Sequence, residues 1–507
     1  MSSKKKSLDL YLGEVFKQFI SIKDDDFKRS QEVFKSVFDQ VKQKMEEQCN
    51  YFKKYSRQVM YAGSVYDGIK ISKMDEFDMD IVIRLPIHYG DGDNGIIIEN
   101  EQPGFVKLKI INGFDHLDKQ KGWEDCHKVT REWRDPDKYF LQNKFRRWLH
   151  GIVQKALNVM DGKVTVNGVV YLLKYKESGP AYTLNIKNDV GAEEFTLDVD
   201  LVPVIRFMFP RAPDGYRMIE GLQAKDWLVV PKPNKAMSDN GLKNRCWRLS
   251  FQEQEREIIK GCLALKMTIR LLKKLRDTLE MKAIASYYIK TLFLWKVDEM
   301  KENKTYWQEK VSVLFRTMVE DLYSAIQKKE IPFFWNRNHN LIEALKPSLQ
   351  KVYSDKLKNV LTAINNNDPD KVVTYLLTTQ ELQEFKNSEF YQKQCELNVT
   401  PPADVVDDFK QLTCEMDAMR AKYPKDKKMA ELEAKMDDLA DRLGRVEDRL
   451  ARLERLERDQ HKSFTDSENS ISDLVGGARS LTLNGRSISP STTRPLIDLL
   501  TPLQDSA

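Results

Sequence analysis

Residues 76–83, EFDMDIVI, place the tightest constraint on the fold of this chain. The run alternates and is rich in β-branched residues, so it reads as a strand. Strand alternation then puts Glu76, Asp78 and Asp80 on one face and Phe77, Met79 and Ile81 on the other. A second strand-like run, FTLDVDLVPVI (195–205), repeats the pattern with Asp198 and Asp200. Taken singly, each run is an ordinary half-exposed strand with a polar face. Together they imply adjacent carboxylates, which repel unless a cation sits between them. Oxygen ligands of this kind suit Mg²⁺ or Mn²⁺ and phosphate chemistry. Gly63–Ser64 precedes Glu76 by twelve residues. Such a turn lets backbone N–H groups and a hydroxyl approach a phosphate closely. A turn, an acid-x-acid strand and a distant third acid form the order expected of a nucleotidyl-transfer site. There, two metal ions activate a hydroxyl and stabilise leaving pyrophosphate.

Around this core the periodicity changes along the chain. Residues 24–57 read as one long helix, with Asp24–Asp26 as cap and favourable first-turn charge. Phe27, Phe34, Phe38, Val41, Met45, Cys49 and Phe52 form its apolar stripe. Lys28, Arg29, Lys35, Lys42, Lys44, Lys53 and Lys54 line the other side, as a solvated face or part of a nucleic-acid platform. Residues 58–225 mix strands (76–85, 182–186, 195–205) with a helix over 137–159. HYGDGDNG (88–95) contains a literal GxGxxG, but Pro86 interrupts the strand side and no helix follows, so it reads as a loop. Residues 253–395 are mostly helical, with an amphipathic helix over 255–280 and a helix over 286–295 that reads as buried. The fold class is therefore α/β (α+β), in two lobes: a mixed lobe over 1–225 and a helical lobe over 226–395. A linker over 396–428 leads to a heptad seam over 429–457, built from Met429, Leu432, Met436, Leu439, Leu443, Val446, Leu450 and Leu453. This reads as a coiled coil that self-associates. Residues 458–507, rich in Ser, Thr, Gly and Pro, read as a disordered tail.

Charge divides along the same line. The net charge is +5, but residues 396–507 hold 17 basic and 22 acidic side chains, which leaves 65 basic and 55 acidic in residues 1–395. A +10 body with a −5 tail points to a polyanionic partner. No apolar run approaches the ~18 residues needed to span a bilayer, and the start, MSSKKKSLDL, lacks a secretory signal. The six cysteines (49, 126, 246, 262, 395, 414) are scattered without a CxxC pair. That argues against a disulfide framework or zinc ribbon and for a reducing compartment, which makes the expected location cytoplasmic.

GSVYDGIKISKMDEFDMDIVI (63–83) resembles the catalytic segment of cyclic GMP–AMP synthase and its animal receptor relatives, the Mab-21-type nucleotidyltransferases. SGPAYTL (178–184), LDVDLVPVI (197–205), WRLSF (247–251), LKM (265–267) and SYYIKT (286–291) follow in the same order. The resemblance covers roughly residues 57–390. It implies a bilobal nucleotidyltransferase fold with a long N-terminal spine helix. It also implies that Gly63 and Ser64 hold the triphosphate and that Glu76, Asp78 and Asp200 bind two metal ions and carry catalysis. Arg248 and Tyr287 would meet nucleobases, while Lys266 and Ser286 would touch phosphate. Asp80 and Asp198 share the strand faces but not the family positions, and read as supporting residues.

Between WRLSF and LKM, the vertebrate DNA-sensing enzyme carries a His-Cys-Cys-Cys zinc insertion. Here residues 252–264 hold only Cys262 and no histidine, so no structural zinc is expected. The resemblance then implies a synthase that joins ATP and GTP into a cyclic dinucleotide messenger for antiviral signalling. Its expected activator is double-stranded RNA in preference to DNA, recognised through shape and phosphate. Two other readings stand beside it: a non-catalytic Mab-21-type binding or developmental protein, and a linear nucleotidyltransferase of the oligoadenylate synthase type.

Overall fold

The computed structural model describes residues 6–397, apart from 57, 91, 116, 120, 122–123, 179–180, 189–194, 235–236 and 304. The heptad segment over 429–457 and the tail over 458–507 lie outside the described residues.

Ten strands form one sheet: β1 (Gln58–Ala62), β2 (Glu76–Val82), β3 (Ile97–Asn100), β4 (Phe105–Lys109), β5 (Lys163–Val166), β6 (Val169–Ser178), β7 (Ala181–Asn188), β8 (Thr196–Met208), β9 (Asp226–Val230) and β10 (Cys246–Ser250). The main path runs β3-β4-β10-β9-β8-β7-β6-β5, with β2 beside β8 and β1 beside β2. β8 is the seam of the sheet. Its first half pairs antiparallel with β7 and parallel with β2, and its last four residues pair with β9. β9 and β10 lie beyond residue 225, yet both pair into this sheet, so the strand-bearing body runs on to Ser250. Short strands such as DWLVV carry too few residues to show a period in the sequence.

The expected spine helix is two helices, Asp24–Gln48 and Asn50–Tyr55. Cys49 between them is extended, and its Sγ accepts the Phe52 N–H at 3.5 Å, which starts the second helix. Lys23 is the N-cap and makes no side-chain cap bond. The three aspartates sit inside the first turn, against the positive end of the helix dipole. The apolar stripe is buried as expected except for half-buried Cys49, and Phe34 stacks on Phe77 of β2 with ring centroids 4.5 Å apart. The spine is thereby bolted to the back of the strand that carries the acids on its front. Lys42 departs from the expected basic face, since it is buried and paired with Glu46.

The expected 255–280 helix is also split, into Gln252–Ile258 and Leu263–Thr278. Gly261 lies in the break at φ +78°, which a helix cannot continue through. Helices Ser286–Glu299, Val311–Lys328, Pro347–Asn365, Pro369–Leu376, Thr379–Asn387 and Glu389–Leu397 continue the helical body, with a two-stranded ribbon, β11 (Pro332–Phe333) and β12 (Asn336–Asn340). The first helix, Leu8–Val15, joins this body rather than the sheet. Its Tyr11 ring packs among Phe385, Phe390 and Tyr391, and Asp9 accepts the Ser312 N–H at 2.8 Å. Among the described residues, no helix is long and apolar enough to cross a membrane.

Candidate active site

β2 obeys the alternation read from its sequence. Phe77, Met79 and Ile81 point into the core, while Glu76 and Asp78 are half-buried on the opposite face. The parallel register with β8 sets Asp78 opposite Asp200 and Glu76 opposite Asp198. Carboxylate oxygens of Glu76, Asp78 and Asp200 lie within 4.8 Å of one another, close enough to share a metal ion. Burial, with Glu76 and Asp200 beside it, pushes Asp78 up to about 7. Burial also raises Asp200, against the lowering hydrogen bond from Thr183. Three acids this close favour a proton or a cation between them. That is the charge environment of a divalent-cation site.

The two supporting acids face elsewhere. Asp198 accepts from Asn185 Nδ2 at 2.6 Å, and buried Asp80 accepts from Gln252 Nε2 at 2.9 Å. Burial and the neighbouring Asp78 raise Asp80 to about 7. Neither joins the trio. Thr183 and Asn185 escaped the sequence reading. Their signal is a two-residue spacing on YTLNI that matches Asp200 and Asp198 across the β7–β8 pair. Lys70 also went unnoticed. It pairs with Asp75 at 2.8 Å and with Glu76 at 3.3 Å, and so steers the edge of the trio.

Gly63 ends β1 and faces Asp78 directly. Its φ is +74°, and a Cβ built there would lie 1.7 Å from Asp78 Oδ2. No side chain fits, so glycine is a steric requirement of the acid and not only of the turn. Half-buried Ser64 follows, and its carbonyl accepts the Ile69 N–H at 2.9 Å, closing the turn. Gly68 repeats the arrangement. At φ +70°, its missing Cβ would sit 2.9 Å from Lys266 Nζ. Lys266 therefore reaches from the Leu263–Thr278 helix onto the turn that Gly63 and Ser64 begin.

The remaining expected residues gather on the helical side. The Arg248 guanidinium carbon, on β10, lies 6.0 Å from the Tyr287 ring centroid. Tyr287 donates its hydroxyl to Glu255 at 2.7 Å, and burial followed by Glu255 holds its proton on well above the ordinary tyrosine range. Ser286 accepts from Arg276 Nη1 at 2.7 Å.

Acids converging across a parallel strand pair, with a glycine turn pressed against them and a helical body beside them, are the design of a nucleotidyltransferase. Comparison with known proteins agrees. The Mab-21 protein nucleotidyltransferase domain matches residues 65–261, and the Mab-21 protein HhH/H2TH-like domain matches 264–359. The two matches meet at the Gly261 break. A cyclic GMP–AMP synthase-like receptor of Ctenocephalides felis is 33% identical over 399 residues, covering 75% of this chain and 90% of the relative. Receptors of the same name from Aethina tumida (33% identical; 73% and 91% covered) and Tribolium castaneum (32%; 75% and 94%) are similarly related. The chain belongs to the cyclic GMP–AMP synthase-like receptor family of Mab-21-type nucleotidyltransferases.

Proposed function

We propose that the protein is a nucleic-acid-activated synthase that makes a cyclic GMP–AMP-type messenger from ATP and GTP, as a cytoplasmic innate immune sensor. The observation that carries this reading is the convergence of Glu76, Asp78 and Asp200 against a Gly63–Ser64 turn that excludes any side chain. In each of two successive transfers, a ribose hydroxyl oxygen bonds to an α-phosphorus and the bond to the bridging oxygen breaks. Pyrophosphate leaves, and a carboxylate of the trio takes up the hydroxyl proton. Two Mg²⁺ or Mn²⁺ ions, held by Glu76, Asp78 and Asp200, would supply charge neutralisation on the attacking and leaving oxygens. Thr183 orients Asp200 for this role and Lys70 orients Glu76. Gly63 and Ser64 bring backbone and hydroxyl to the triphosphate, Lys266 places a cation beside it, and Ser286 contacts phosphate. Arg248 and Tyr287, whose guanidinium carbon and ring centroid lie 6.0 Å apart, receive a nucleobase by stacking.

The activating partner in this reading is double-stranded RNA, with DNA the second choice. Exposed Lys28, Arg29, Lys35, Lys53 and Lys54 on the spine supply a sequence-independent phosphate-binding face. The 429–457 heptads would join copies of the chain and raise avidity for a long duplex. Light scattering of full-length protein against a 1–395 truncation tests this, and an unchanged mass would remove it.

The deciding assay incubates pure protein with labelled ATP, GTP and Mn²⁺, with and without long double-stranded RNA or DNA. A phosphatase-resistant dinucleotide is expected, most abundant with RNA. Labelled oligomers would point instead to a linear transferase, and no product at any duplex length to a non-catalytic binding protein. Asp78→Asn is expected to lower product at least ~100-fold while duplex binding persists. Undiminished synthesis would show that the metal site lies elsewhere.

A further inference from the structure

A chain of buried charges joins the two halves of the site. Asp67 ends the turn that Gly63 begins. Its Oδ1 accepts from Arg256 Nε at 3.1 Å and its Oδ2 from Lys290 Nζ at 2.6 Å. Lys290 also lies 2.9 Å from Glu255 Oε2. Glu255 Oε1 accepts from the Tyr287 hydroxyl at 2.7 Å and from Trp335 Nε1 at 2.9 Å. The side chains of Asp67, Arg256, Lys290 and Glu255 are each no more than 7% exposed. Burial would push Asp67 up, but Lys290 and Arg256 outweigh it and hold the carboxyl below its ordinary range. Burial likewise disfavours the Lys290 charge, and Asp67 and Glu255 outweigh it. Asp67 and Lys290 therefore both keep their charges.

Cohesion alone does not call for ions here. Buried ion pairs hold elements together no better than apolar side chains of the same volume, because desolvation offsets their attraction. What ions add is direction. Each carboxylate oxygen here has a named donor, so the Gly63–Tyr66 turn, the Gln252–Ile258 helix and the Ser286–Glu299 helix meet in one register. The path ends at the hydroxyl of the ring that faces Arg248.

We infer that Asp67, Lys290 and Glu255 are positioning residues that set how far the nucleobase-stacking ring of Tyr287 stands from the Gly63–Ser64 triphosphate turn. The inference rests on the nucleotide-binding reading above. It makes the Tyr287 hydroxyl a tether. Stacking needs only the ring, but stacking at the correct distance from a phosphate held elsewhere needs the ring anchored.

The test uses the full-length chain with Mg²⁺ and two probes in calorimetric titration. One is an ATP analogue with a methylene bridge between its α- and β-phosphates, and the other is tripolyphosphate, which has no base. The variants are Tyr287→Phe, which keeps the ring, and Glu255→Gln, which keeps an acceptor for Tyr287 and Trp335 but drops the charge opposite Lys290. Both variants are expected to bind the ATP analogue roughly tenfold more weakly, the scale of a misplaced stacking contact, and tripolyphosphate as wild type does. Tyr287→Phe binding the analogue normally would overturn the tether. So would loss of both ligands in parallel, the mark of general damage. Should Glu255→Gln fail to fold, Tyr287→Phe decides alone. A wild-type chain that binds neither probe would overturn the reading of the site itself, and this inference with it.

Discussion

Two glycines with the same backbone handedness separate geometric need from steric need. Gly63 and Gly261 both adopt positive φ, but a Cβ at Gly63 would overlap Asp78, whereas none of the surrounding atoms comes within 4 Å of one at Gly261. Gly63→Ala must swing the Asp78 carboxylate out of the trio. Turnover is expected to fall about 100-fold, the cost of a misplaced reacting group, while the melting temperature drops only modestly. A variant with wild-type turnover would remove Asp78 from the chemistry. The same acid predicts a pH effect. In the metal-free protein, burial first and neighbouring acids second raise Asp78 and Asp80 to about 7, against about 3.9 when unfolded. Between those values the folded state binds more protons than the unfolded one. Stability of the metal-free protein from this source is full below about pH 4 and is lost as pH rises through about 7. Mg²⁺ competes with the proton at Asp78, so it should raise the melting temperature more at pH 8 than at pH 6. Equal shifts at both pH values would contradict this.

At the level of elements, helix identity was legible and helix continuity was not. Periodicity marks the buried stripe of the spine and the face of residues 255–280, since it counts apolar positions every three to four residues. It skips over single residues such as Cys49 and Gly261, at which the backbone leaves the helix without disturbing the stripe on either side. Gly261→Ala should therefore cost only the left-handed backbone penalty, about 1–2 kcal/mol by chemical denaturation, with synthesis preserved. A much larger loss would mean that the break has a packing role beyond its φ. Strands behaved in the same way. The acid-bearing runs of β2 and β8 announce themselves, because alternating carboxylates between β-branched residues are hard to read otherwise. β9 and β10 do not, since a five-residue strand offers barely two repeats of its period.

Across the whole molecule, the first helix is the least expected part. Leu8–Val15 and the turn after it bury Tyr11, Leu12, Val15, Phe16 and Ile20 against the helical body. Arg270 of the Leu263–Thr278 helix lies over Phe16, 5.3 Å from its ring centroid, and also donates to the Gly68 carbonyl at 3.1 Å. Deleting residues 1–21 should therefore destabilise the helical body by several kcal/mol, at roughly 1.5–3 kcal/mol for each large side chain exposed. A shortened chain that melts like the full one would show that this helix merely rests on the surface.

Local sequence is enough to say which residue types stand two apart on which strand face, where a glycine must end a turn, and which family these runs resemble. All of these are local, written within one or two repeats of a backbone period. The tertiary structure decided which acids meet. Asp200 came opposite Asp78, while Asp198, with the same spacing and the same strand face, was drawn to Asn185. It also decided that a lysine 203 residues beyond Gly63 lies on the turn that Gly63 opens, and that Tyr287 is tied to Asp67 through buried ions. Strand register and charge burial are set by partners between 13 residues away, as Asn185 is from Asp198, and 223 away, as Lys290 is from Asp67, and no local period records them.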